Sequence, residues 1–223
     1  MTGTENQIAR LSDQRLAAYA LSPAPAWLWS ADATRILWAN PGAAAILGAD
    51  SPGTATELVF DPRQHPGAVQ IARLAGTLPQ GGAPRLERLR GFGARLGGTH
   101  LCLCSRITLD GADGILVVAA EGAGKEMPLP ERAHRLLADF AGEAALFAAD
   151  GEWIDGLRQA RQRFGNAENL GALGAGQIAR EATLNGRSDG ELALEAVTML
   201  RLGADPLYLL LVARTTAAGD MRT

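Results

Sequence analysis

The hydrophobic and polar positions of this chain repeat with helical spacing in some stretches and with strand spacing in others. Ile8 and Leu11 begin an apolar stripe in residues 4–21, which lack Gly and Pro, and this pattern predicts an N-terminal helix. Residues 26–49 contain short runs rich in Trp, Leu and Ile around a polar turn, followed by small residues from Pro41 onward. We therefore expect a helix, a β-hairpin and a second helix, in that order.

The next part of the chain changes from broken periodicity to strand-like alternation. Residues 50–85 are rich in Pro, Gly and Ala, which predicts short helices and loops. Residues 85–119 contain three extended segments separated by glycine-containing turns, which predicts an antiparallel meander. Because successive residues of a strand point to opposite faces, the middle segment has two distinct faces. We expect its core face to carry Leu101, Leu103, Ile107 and Leu109. We expect its semi-polar face to carry His100, Cys102, Cys104, Arg106 and Thr108.

The second half of the sequence begins with a predicted connector helix. Pro130 is suited to a first helical turn, and Leu136, Leu137 and Phe140 continue one apolar stripe beyond it. Strand character returns in residues 143–157, and a short helix and a Gly-rich patch follow. We interpret the patch as a loop that replaces helices, and we expect three further strands at 177–185, 191–202 and 206–215.

The order of elements in the first half repeats in the second. SADATRI at 30–36 aligns with AADGEWI at 148–154, an offset of 118 residues. GADGILVVA at 111–119 aligns with GADPLYLLL at 203–211, an offset of 92 residues. Each half is therefore predicted to contain a hairpin, a helical middle and three strands, and the second middle is 26 residues shorter.

Composition and charge limit the classes of function. The 223 residues are 47% hydrophobic and 20% charged, with a net charge of −3, as expected for a globular protein without a strongly basic face. We therefore expect no nucleic-acid partner. The longest apolar run is about ten residues, about half the length that a membrane-spanning helix needs, so we expect no membrane insertion. The N-terminus lacks the apolar core of a signal peptide, and we expect a cytoplasmic location.

Residues 114–127, GILVVAAEGAGKEM, approximate a phosphate-binding loop. Such a loop requires Gly-X4-Gly-Lys followed by Ser or Thr and then a helix. Here Ala119 occupies the first glycine position, Glu126 occupies the hydroxyl position, and Pro128 opposes an immediate helix. We interpret the segment as a last strand followed by a linker, and the alternative is a nucleotide-binding enzyme that uses this loop.

The two cysteines, Cys102 and Cys104, lie close together in HLCLCS. A disulfide between residues two apart in a strand would need distortion, so we expect free thiols. His100 extends the pattern, but a straight strand spreads the three groups over about 13 Å, too far for one tetrahedral metal ion. We expect no metal site and no catalytic residues in this chain.

The segment WLWSADATRILWANPGAAAILG, residues 27–48, resembles the start of a PAS domain. The apolar strand ending in Ala31-Asp32, the second strand ending at Asn40 and the small-residue helix carry this resemblance. It extends over residues 24–122 and, more weakly, over 143–216, where Arg158 takes the place of Asn40. Similar tandem PAS pairs occur at the N-termini of soluble alphaproteobacterial sensor histidine kinases that govern cell cycle and development.

The resemblance implies an α+β fold with two tandem PAS-like domains, each an antiparallel sheet with helices on one face, joined by a helical connector. The corresponding domain boundaries are an N-terminal helix at 1–23, a first PAS-like domain at 24–122, a linker and connector helix at 123–142, a second, shortened PAS-like domain at 143–216 and a tail at 217–223.

The resemblance also implies a function, the sensory and dimerising input of a bacterial two-component signalling protein, most simply a sensor histidine kinase. The expected partners are a second copy of the chain and regulatory proteins of a phosphorelay. No cofactor is expected, because the cysteines lie in strands and His65, the residue best placed for a haem ligand, lies in a turn-like sequence. A small unidentified ligand in the first domain remains open, and a stand-alone PAS scaffold is the alternative. The residues expected to pack the helices or to form dimer contacts are Ile8, Leu11, Leu136, Leu137 and Phe140.

Overall fold

The chain forms two compact units in the computed structural model. The first unit is Tyr19–Asp139, and the second unit combines Met1–Ala18 with Phe140–Thr223. Each unit contains one five-stranded antiparallel sheet with helices, which confirms the α+β class. The residues that the structure describes are 9–92, 98–119, 123–140, 142–165, 167 and 169–213.

The first unit follows the predicted order of hairpin, helical middle and three strands. After α1 (Gln14–Ala17), its elements are β1 (Ala26–Ser30), β2 (Ile36–Ala39), α2 (Pro41–Ile46), α3 (Pro52–Ala55), α4 (Pro66–Thr77), β3 (Arg85–Arg90), β4 (Thr99–Leu109), β5 (Ala112–Ala119) and α5 (Leu129–Leu137). The strand order across the sheet is β2-β1-β5-β4-β3, so β1 pairs with the last strand of the unit.

Local sequence explains where the helices of the first unit begin. Proline stands at the first helical position of α2, α3 and α4, where its missing N–H costs no intrahelical bond. Asn40, Ser51 and His65 precede these prolines, and the side chain of each accepts a hydrogen bond from a backbone N–H of the first turn.

The prediction for the faces of β4 is wrong in the first half of the strand, although Ile107 of the predicted core face is buried. Cys102 and Cys104 are fully buried in the core cluster with Trp27 and Trp29, whereas Leu101 is 39% exposed. The prediction ranked the two faces by side-chain hydrophobicity, in which leucine exceeds cysteine. In the structure, the helices cover the face that carries the small thiols. The expectation of free thiols is confirmed.

The second unit repeats the architecture of the first. Its further elements are β6 (Ala144–Ala148), β7 (Trp153–Gly156), α6 (Arg158–Phe164), α7 (Gly176–Asn185), β8 (Arg187–Leu192), β9 (Glu195–Leu202) and β10 (Tyr208–Ala213). The strand order, β7-β6-β10-β9-β8, is that of the first sheet. Two helices, α6 and α7, replace the three helices α2, α3 and α4 between the hairpin and the later strands.

The predicted strand at 177–185 is wrong, because these residues form most of α7. Ala, Glu, Gln and Arg are good helix formers, and Gly186 ends the helix in the left-handed conformation at φ 85°. Gly186 was the sequence signal for this stop. The missing strand is supplied by residues 187–192, so the predicted strand at 191–202 is divided in two by a tight turn.

The turn Ala193-Leu194 connects β8 to β9, and neither residue favours the left-handed backbone conformation that it adopts. Both have positive φ, 50° and 70°, and Leu194 is 95% exposed. The corresponding conformation in the β4–β5 hairpin is supplied by Asp110-Gly111, at φ 51° and 79°. Asn-Gly and Asp-Gly suit a two-residue hairpin turn because they tolerate left-handed backbone.

We expect the double substitution A193N/L194G to raise the free energy of unfolding of the second unit by about 1–2 kcal/mol, because it removes left-handed strain from two non-glycine residues. Urea denaturation followed by circular dichroism measures this change. The reverse substitution, D110A/G111L in the first unit, serves as the matched control and should lower stability by a similar amount. Unchanged stability in both variants would contradict the assignment of strain to this turn.

The N-terminal helical residues belong to the second unit. Residues 9–12 and α1 are helical, and Leu11 and Leu16 are fully buried. The Arg201 guanidinium of β9 donates to Gln14 Oε1 at 2.7 Å, and Gly203 N donates to Ala17 O at 2.9 Å. The N-terminal segment is therefore attached to the sheet that is most distant from it in sequence.

No described helix of the chain is both long and apolar enough to cross a membrane.

Candidate functional site

A pocket of about 290 Å³ lies between the sheet and the helices of the first unit. We call it the inner pocket. Its aromatic wall consists of Trp27, Trp29, His65 and Phe92. The remaining wall consists of Ile46, Leu47, Gly67 and Gly91. Its size is at the lower end of the range of small-molecule sites, and its lining is mainly apolar, as in most ligand pockets.

The strand and helix boundaries place these groups together. Trp27 and Trp29 are two residues apart in β1, so both side chains point to the inner face of the sheet. Phe92 follows β3 and packs edge-on against Trp27, with ring centroids 5.2 Å apart. Gly67 is in the first turn of α4, where a Cβ would come within 3.1 Å of the His65 ring, so the missing side chain leaves space beside the imidazole.

Among the described residues that line the inner pocket, His65 is the one with an ionisable side chain. Its Nδ1 accepts a hydrogen bond from Ala68 N at 3.3 Å, which caps α4. Burial lowers the pKa of the His65 imidazole below its usual value, which favours the neutral ring near neutral pH. In the neutral ring an accepting Nδ1 requires the proton on Nε2, so the second nitrogen is a donor.

The indole N–H groups of the pocket differ in their bonding. Trp27 Nε1 donates to Ala43 O at 3.1 Å, which ties the strand to α2. Trp29 Nε1 is buried and has no hydrogen-bond partner among the described residues. The Trp29 ring packs instead against Phe60, with centroids 4.7 Å apart.

A second depression of about 290 Å³, the outer groove, lies beside α2 and α5. Its lining consists of Gly42, Ala45, Ile46, Gly124, Lys125, Glu126, Met127, Glu131 and Arg135. Ile46 therefore lines both the inner pocket and the outer groove. A Cβ on Gly124, which has φ 75°, would meet the end of the Ile46 side chain at 2.9 Å, so the linker lies directly on this residue.

The predicted linker after β5 lies partly outside the described residues, which omit 120–122. The described part, residues 123–128, is not helical, and α5 begins at Leu129. Lys125 and Glu126 line the outer groove, and no helix begins directly after them as a phosphate-binding loop would require. Residues 93–97, the centre of the other glycine-rich segment, also lie outside the described residues.

The described residues predicted for helix packing or dimer contact are divided between the two units. Leu136 and Leu137 are in α5 of the first unit, and both are buried. Phe140 and Leu11, also buried, belong to the second unit. Ile8 lies outside the described residues. Their role stays a prediction.

The end of α5 is tied to α3 by a half-buried carboxylate. Asp139 Oδ2 accepts a hydrogen bond from Gly53 N at 2.8 Å, at the first turn of α3. Burial raises the pKa of Asp139 above 3.8, and hydrogen bonds from Ser51 and Gly53 only partly oppose this effect.

We expect Asp139→Asn to become more stable relative to the wild type as pH rises through and above the range in which a free Asp carboxyl titrates. A raised folded-state pKa means that the unfolded chain loses its proton first, so wild-type stability falls as pH rises through this interval. Asn cannot titrate, yet it keeps an acceptor for Gly53 N. Urea denaturation at several pH values measures the difference. Asp139→Ala, which removes the acceptor as well, should be less stable at neutral pH, and a pH-independent Asn difference would contradict the assignment.

The cysteine pair has the properties of core residues. Burial raises the pKa of the Cys102 thiol to about 11 and that of Cys104 to about 12. Both thiols are therefore protonated at neutral pH and weakly nucleophilic. The described part of the chain contains no group of three or more His, Cys, Asp or Glu residues that could hold a metal ion.

Sequence reasoning considered His65 as a turn residue and did not single out Trp27, Trp29 or Phe92 as pocket residues. The alternation of tryptophans in WLW was the available signal, because it places both rings on one face of a strand. The role of Phe92 had no comparable signal, since it follows the strand at φ 49° and reaches the pocket through the tertiary fold.

No protein-family model matches the sequence, and no curated protein matches it either. Among solved structures, an extracellular ligand binding receptor from Desulfohalobium retbaense DSM5692 is 17% identical, with a TM-score of 0.28. That alignment covers 94% of this chain but 35% of the receptor chain. The PAS domain of an HTR-like protein from Haloarcula marismortui is 22% identical over 52% of this chain and 96% of that domain, with a TM-score of 0.34.

The domain of a sensory box/GGDEF family protein from Vibrio parahaemolyticus is 10% identical, with a TM-score of 0.29 over 96% of this chain and 80% of that one. All these TM-scores lie below 0.5, so the description of the fold rests on the strand order and on the order of elements along the chain. By these criteria the two units share one α+β architecture.

Proposed function

We propose that this chain is the sensory and dimerising input region of a bacterial two-component signalling protein, a sensor histidine kinase. In this proposal the chain is cytoplasmic, and catalysis belongs to another part of a longer polypeptide. The observation that carries the proposal is the inner pocket, because a pocket lined mainly by apolar residues, with His65 and Trp29 Nε1 as polar groups, suits a small-molecule signal.

The proposed mechanism is a population shift. A ligand that prefers one position of α2 would move Ile46, which borders both the pocket and the linker at Gly124. The linker leads into α5, where the Arg132 guanidinium donates to Met127 O and to Leu21 O. The α5 helix would then act as the connector whose position reports ligand binding to the output domain.

Native mass spectrometry of the purified chain tests both halves of the proposal. A dimer with additional retained mass is the expected result, because one spectrum reports subunit number and bound small molecules. A bare monomer would contradict the dimer and leave the pocket without a ligand. The longer polypeptide should in addition transfer phosphate from ATP to itself, and absence of this activity would contradict the histidine kinase assignment.

The dimer contacts are tested separately at the predicted helix residues. Leu136→Asn and Phe140→Asn should change subunit number, measured by light scattering, in variants that remain folded. Both residues are buried in the isolated chain, so a loss of stability without a change in subunit number would assign them to packing alone.

A stand-alone scaffold is the second candidate, and the outer face of the first sheet favours it. Leu86 is 61% exposed and Leu101 is 39% exposed, and both lie on the face opposite the inner pocket. Apolar side chains exposed together are typical of interaction surfaces. A chain that retains no small molecule and loses self-association in the variant L86S/L101S would favour the scaffold over the sensor.

A further inference from the structure

We propose that the free edge of β3 is a docking site for an extended acidic segment of a partner protein, which adds to the first sheet as a sixth strand. The backbone of the segment pairs with Leu86 and Arg88, and its acidic side chains pair with Arg88 and Arg90. Such docking goes beyond the proposed sensory function and does not depend on the inner pocket.

The backbone groups of β3 that face away from β4 are identified by a side-chain contact. β3 stands at one end of the strand order, beside β4. Arg90 N donates to Gln70 Oε1 at 2.8 Å, and Gln70 Nε2 donates to Arg90 O at 2.9 Å, so both backbone groups of Arg90 point to the free edge. In an antiparallel pair the N–H and C=O of one residue point to the same side, and that side alternates along the strand. The backbone groups of Leu86 and Arg88 therefore point to the free edge as well.

The Gln70 amide shows what this edge binds. Its oxygen and nitrogen make at Arg90 the pair of hydrogen bonds that one residue of a neighbouring strand would make. Among the described residues outside β4, none bonds to the backbone of Leu86 or Arg88. These two residues present two N–H and two C=O groups to a further strand, and an extended peptide has the complementary groups at the matching spacing.

The side chains along this edge are cationic and apolar. Leu86, Arg88 and Arg90 alternate with the buried Leu89, so they lie on the face opposite the inner pocket, and all three are exposed. The surrounding sequence is basic, because residues 62–109 contain seven arginines and one acidic residue in a chain whose net charge is −3. A strand that docks here therefore meets positive charge and a leucine side chain.

The acidic residue of β3 is already neutralised. Glu87 pairs with Arg73 at 3.2 Å and with Arg85 at 2.7 Å, whereas Arg88 and Arg90 form no ion pair with a described residue. Acidic side chains opposite these two arginines in an added strand would form cross-strand ion pairs. Pairing of β3 with the β3 of a second copy would instead bring the arginines of two edges together. The charges therefore favour an acidic partner over self-association at this edge.

An acidic peptide also fits this edge better than a nucleic acid does. Phosphate oxygens accept hydrogen bonds but do not donate them, so a phosphate backbone leaves the C=O groups of Leu86 and Arg88 unpaired. Leu86 is 61% exposed, and an apolar peptide side chain opposite it would cover part of this surface. The arginines attract both kinds of polyanion, but the backbone and the leucine favour a peptide.

The equivalent edge of the second unit has a different charge pattern. β8 is the edge strand at the same place in the order β7-β6-β10-β9-β8. Its exposed side chains include Arg187, Asp189 and Glu191, and Arg187 pairs with Asp189 at 3.1 Å. The duplicated fold thus has a corresponding strand edge in each unit, and the basic one belongs to the first unit.

Fluorescence anisotropy with the intact chain tests the docking. The probe is a labelled peptide of about ten residues in which Glu alternates with Val, and the control peptide has Lys in place of each Glu. We expect saturable binding of the Glu peptide and at least about 10-fold weaker binding of the Lys peptide. Binding of the Glu peptide should weaken as NaCl rises from about 50 to about 300 mM, because salt screens exposed charges.

The variant R88E/R90E locates the site. It should weaken binding of the Glu peptide about 10-fold or more and strengthen binding of the Lys peptide, because it reverses the charge of the edge. R158E/R180E is the matched control, since it replaces two exposed arginines of the second unit and changes the net charge by the same amount. The control should bind the Glu peptide as the wild type does. Equal weakening in the two double variants would overturn the assignment to β3.

Backbone pairing is tested by N-methylation of the Glu peptide. A docked strand presents every second N–H to the sheet, so methylation of all Glu amides and methylation of all Val amides should have unequal effects, and one of them should abolish binding. In the wild-type nuclear magnetic resonance spectrum, the amide protons of Leu86 and Arg88 should exchange more slowly when the peptide is bound. Equal binding of both methylated peptides, without this protection, would indicate charge attraction alone and overturn strand addition.

The remaining outcomes separate this docking site from the proposed sensory function. No binding of the Glu peptide would overturn the docking site, whereas retained ligand in the native mass spectrum would still support the sensor. A labelled oligothymidylate that binds more tightly than the Glu peptide, and that R88E/R90E fails to bind, would assign the edge to nucleic acid. A change in subunit number in R88E/R90E, without peptide binding to the wild type, would assign the edge to a second copy. Either result would overturn the acidic partner.

Discussion

Asn40→Ala is expected to lower the free energy of unfolding of the first unit by about 3–5 kcal/mol. The Asn40 side chain is fully buried, and its Oδ1 accepts hydrogen bonds from Ala26 N at 3.1 Å and from Ala43 N at 2.9 Å. Its Nδ2 donates to the backbone carbonyls of Tyr19, Ser22 and Ala24. Alanine would leave several of these buried backbone groups unpaired, and it would also remove the cap of α2.

Two further variants make the Asn40 prediction specific. Asn40→Asp keeps the N-cap acceptor but directs an anionic oxygen at three carbonyl oxygens. It should therefore be unstable at neutral pH and recover in part on acidification, when a protonated carboxyl can donate. Asn169→Ala removes an exposed Asn side chain that accepts from Ala172 N, and it should cost about 1 kcal/mol or less. Equal losses in the Asn40→Ala and Asn169→Ala variants would contradict the central role of Asn40.

Phe147→Ala is expected to destabilise the second unit by about 3–5 kcal/mol. Phe147 is fully buried in the core cluster of that unit, and its ring meets Trp153 edge-on with centroids 5.3 Å apart. Phe147→Leu retains most of the volume and should cost about 1.5 kcal/mol or less. Chemical denaturation gives the magnitude of each loss.

Hydrogen exchange resolved along the chain should assign each loss to a unit. Asn40→Ala should reduce protection mainly within Tyr19–Asp139, and Phe147→Ala mainly within the strands β6 to β10. Phe147→Ala should also reduce hydrogen-exchange protection in α1, because α1 belongs to the second unit. Uniform loss across the chain in both variants would mean that the two units unfold as one.

Sequence patterns predicted most of the first unit because its local signals agree with its tertiary environment. The WLW alternation, the proline after Asn40 and the Asp110-Gly111 turn each favour the conformation that the fold requires. Residues 177–185 show the opposite case, since short apolar alternation was given more weight than the helix formers and the glycine stop at Gly186. The Ala193-Leu194 turn was missed because neither residue carries a turn signal.

The inner pocket was only partly predictable for a related reason. The sequence places Trp27 and Trp29 on one face of a strand, but it does not reveal which helix covers that face or where a side chain is missing. His65 becomes a pocket residue because a cap hydrogen bond orients its ring. Phe92 reaches the same pocket from the end of β3, which is an edge strand of the sheet. These contacts join residues that are distant in sequence, so local sequence patterns do not predict them.

The sequence by itself determined the α+β class, the duplicated order of elements and the first hairpin, because periodicity and turn chemistry are local properties. The tertiary structure alone decided that Cys102 and Cys104 face the core and that the N-terminal helical residues join the second unit. It also decided that His65 meets the tryptophans of β1 in one pocket. Each of these depends on which surface covers which face, and that choice is made by packing between distant segments rather than by the residues of any one segment.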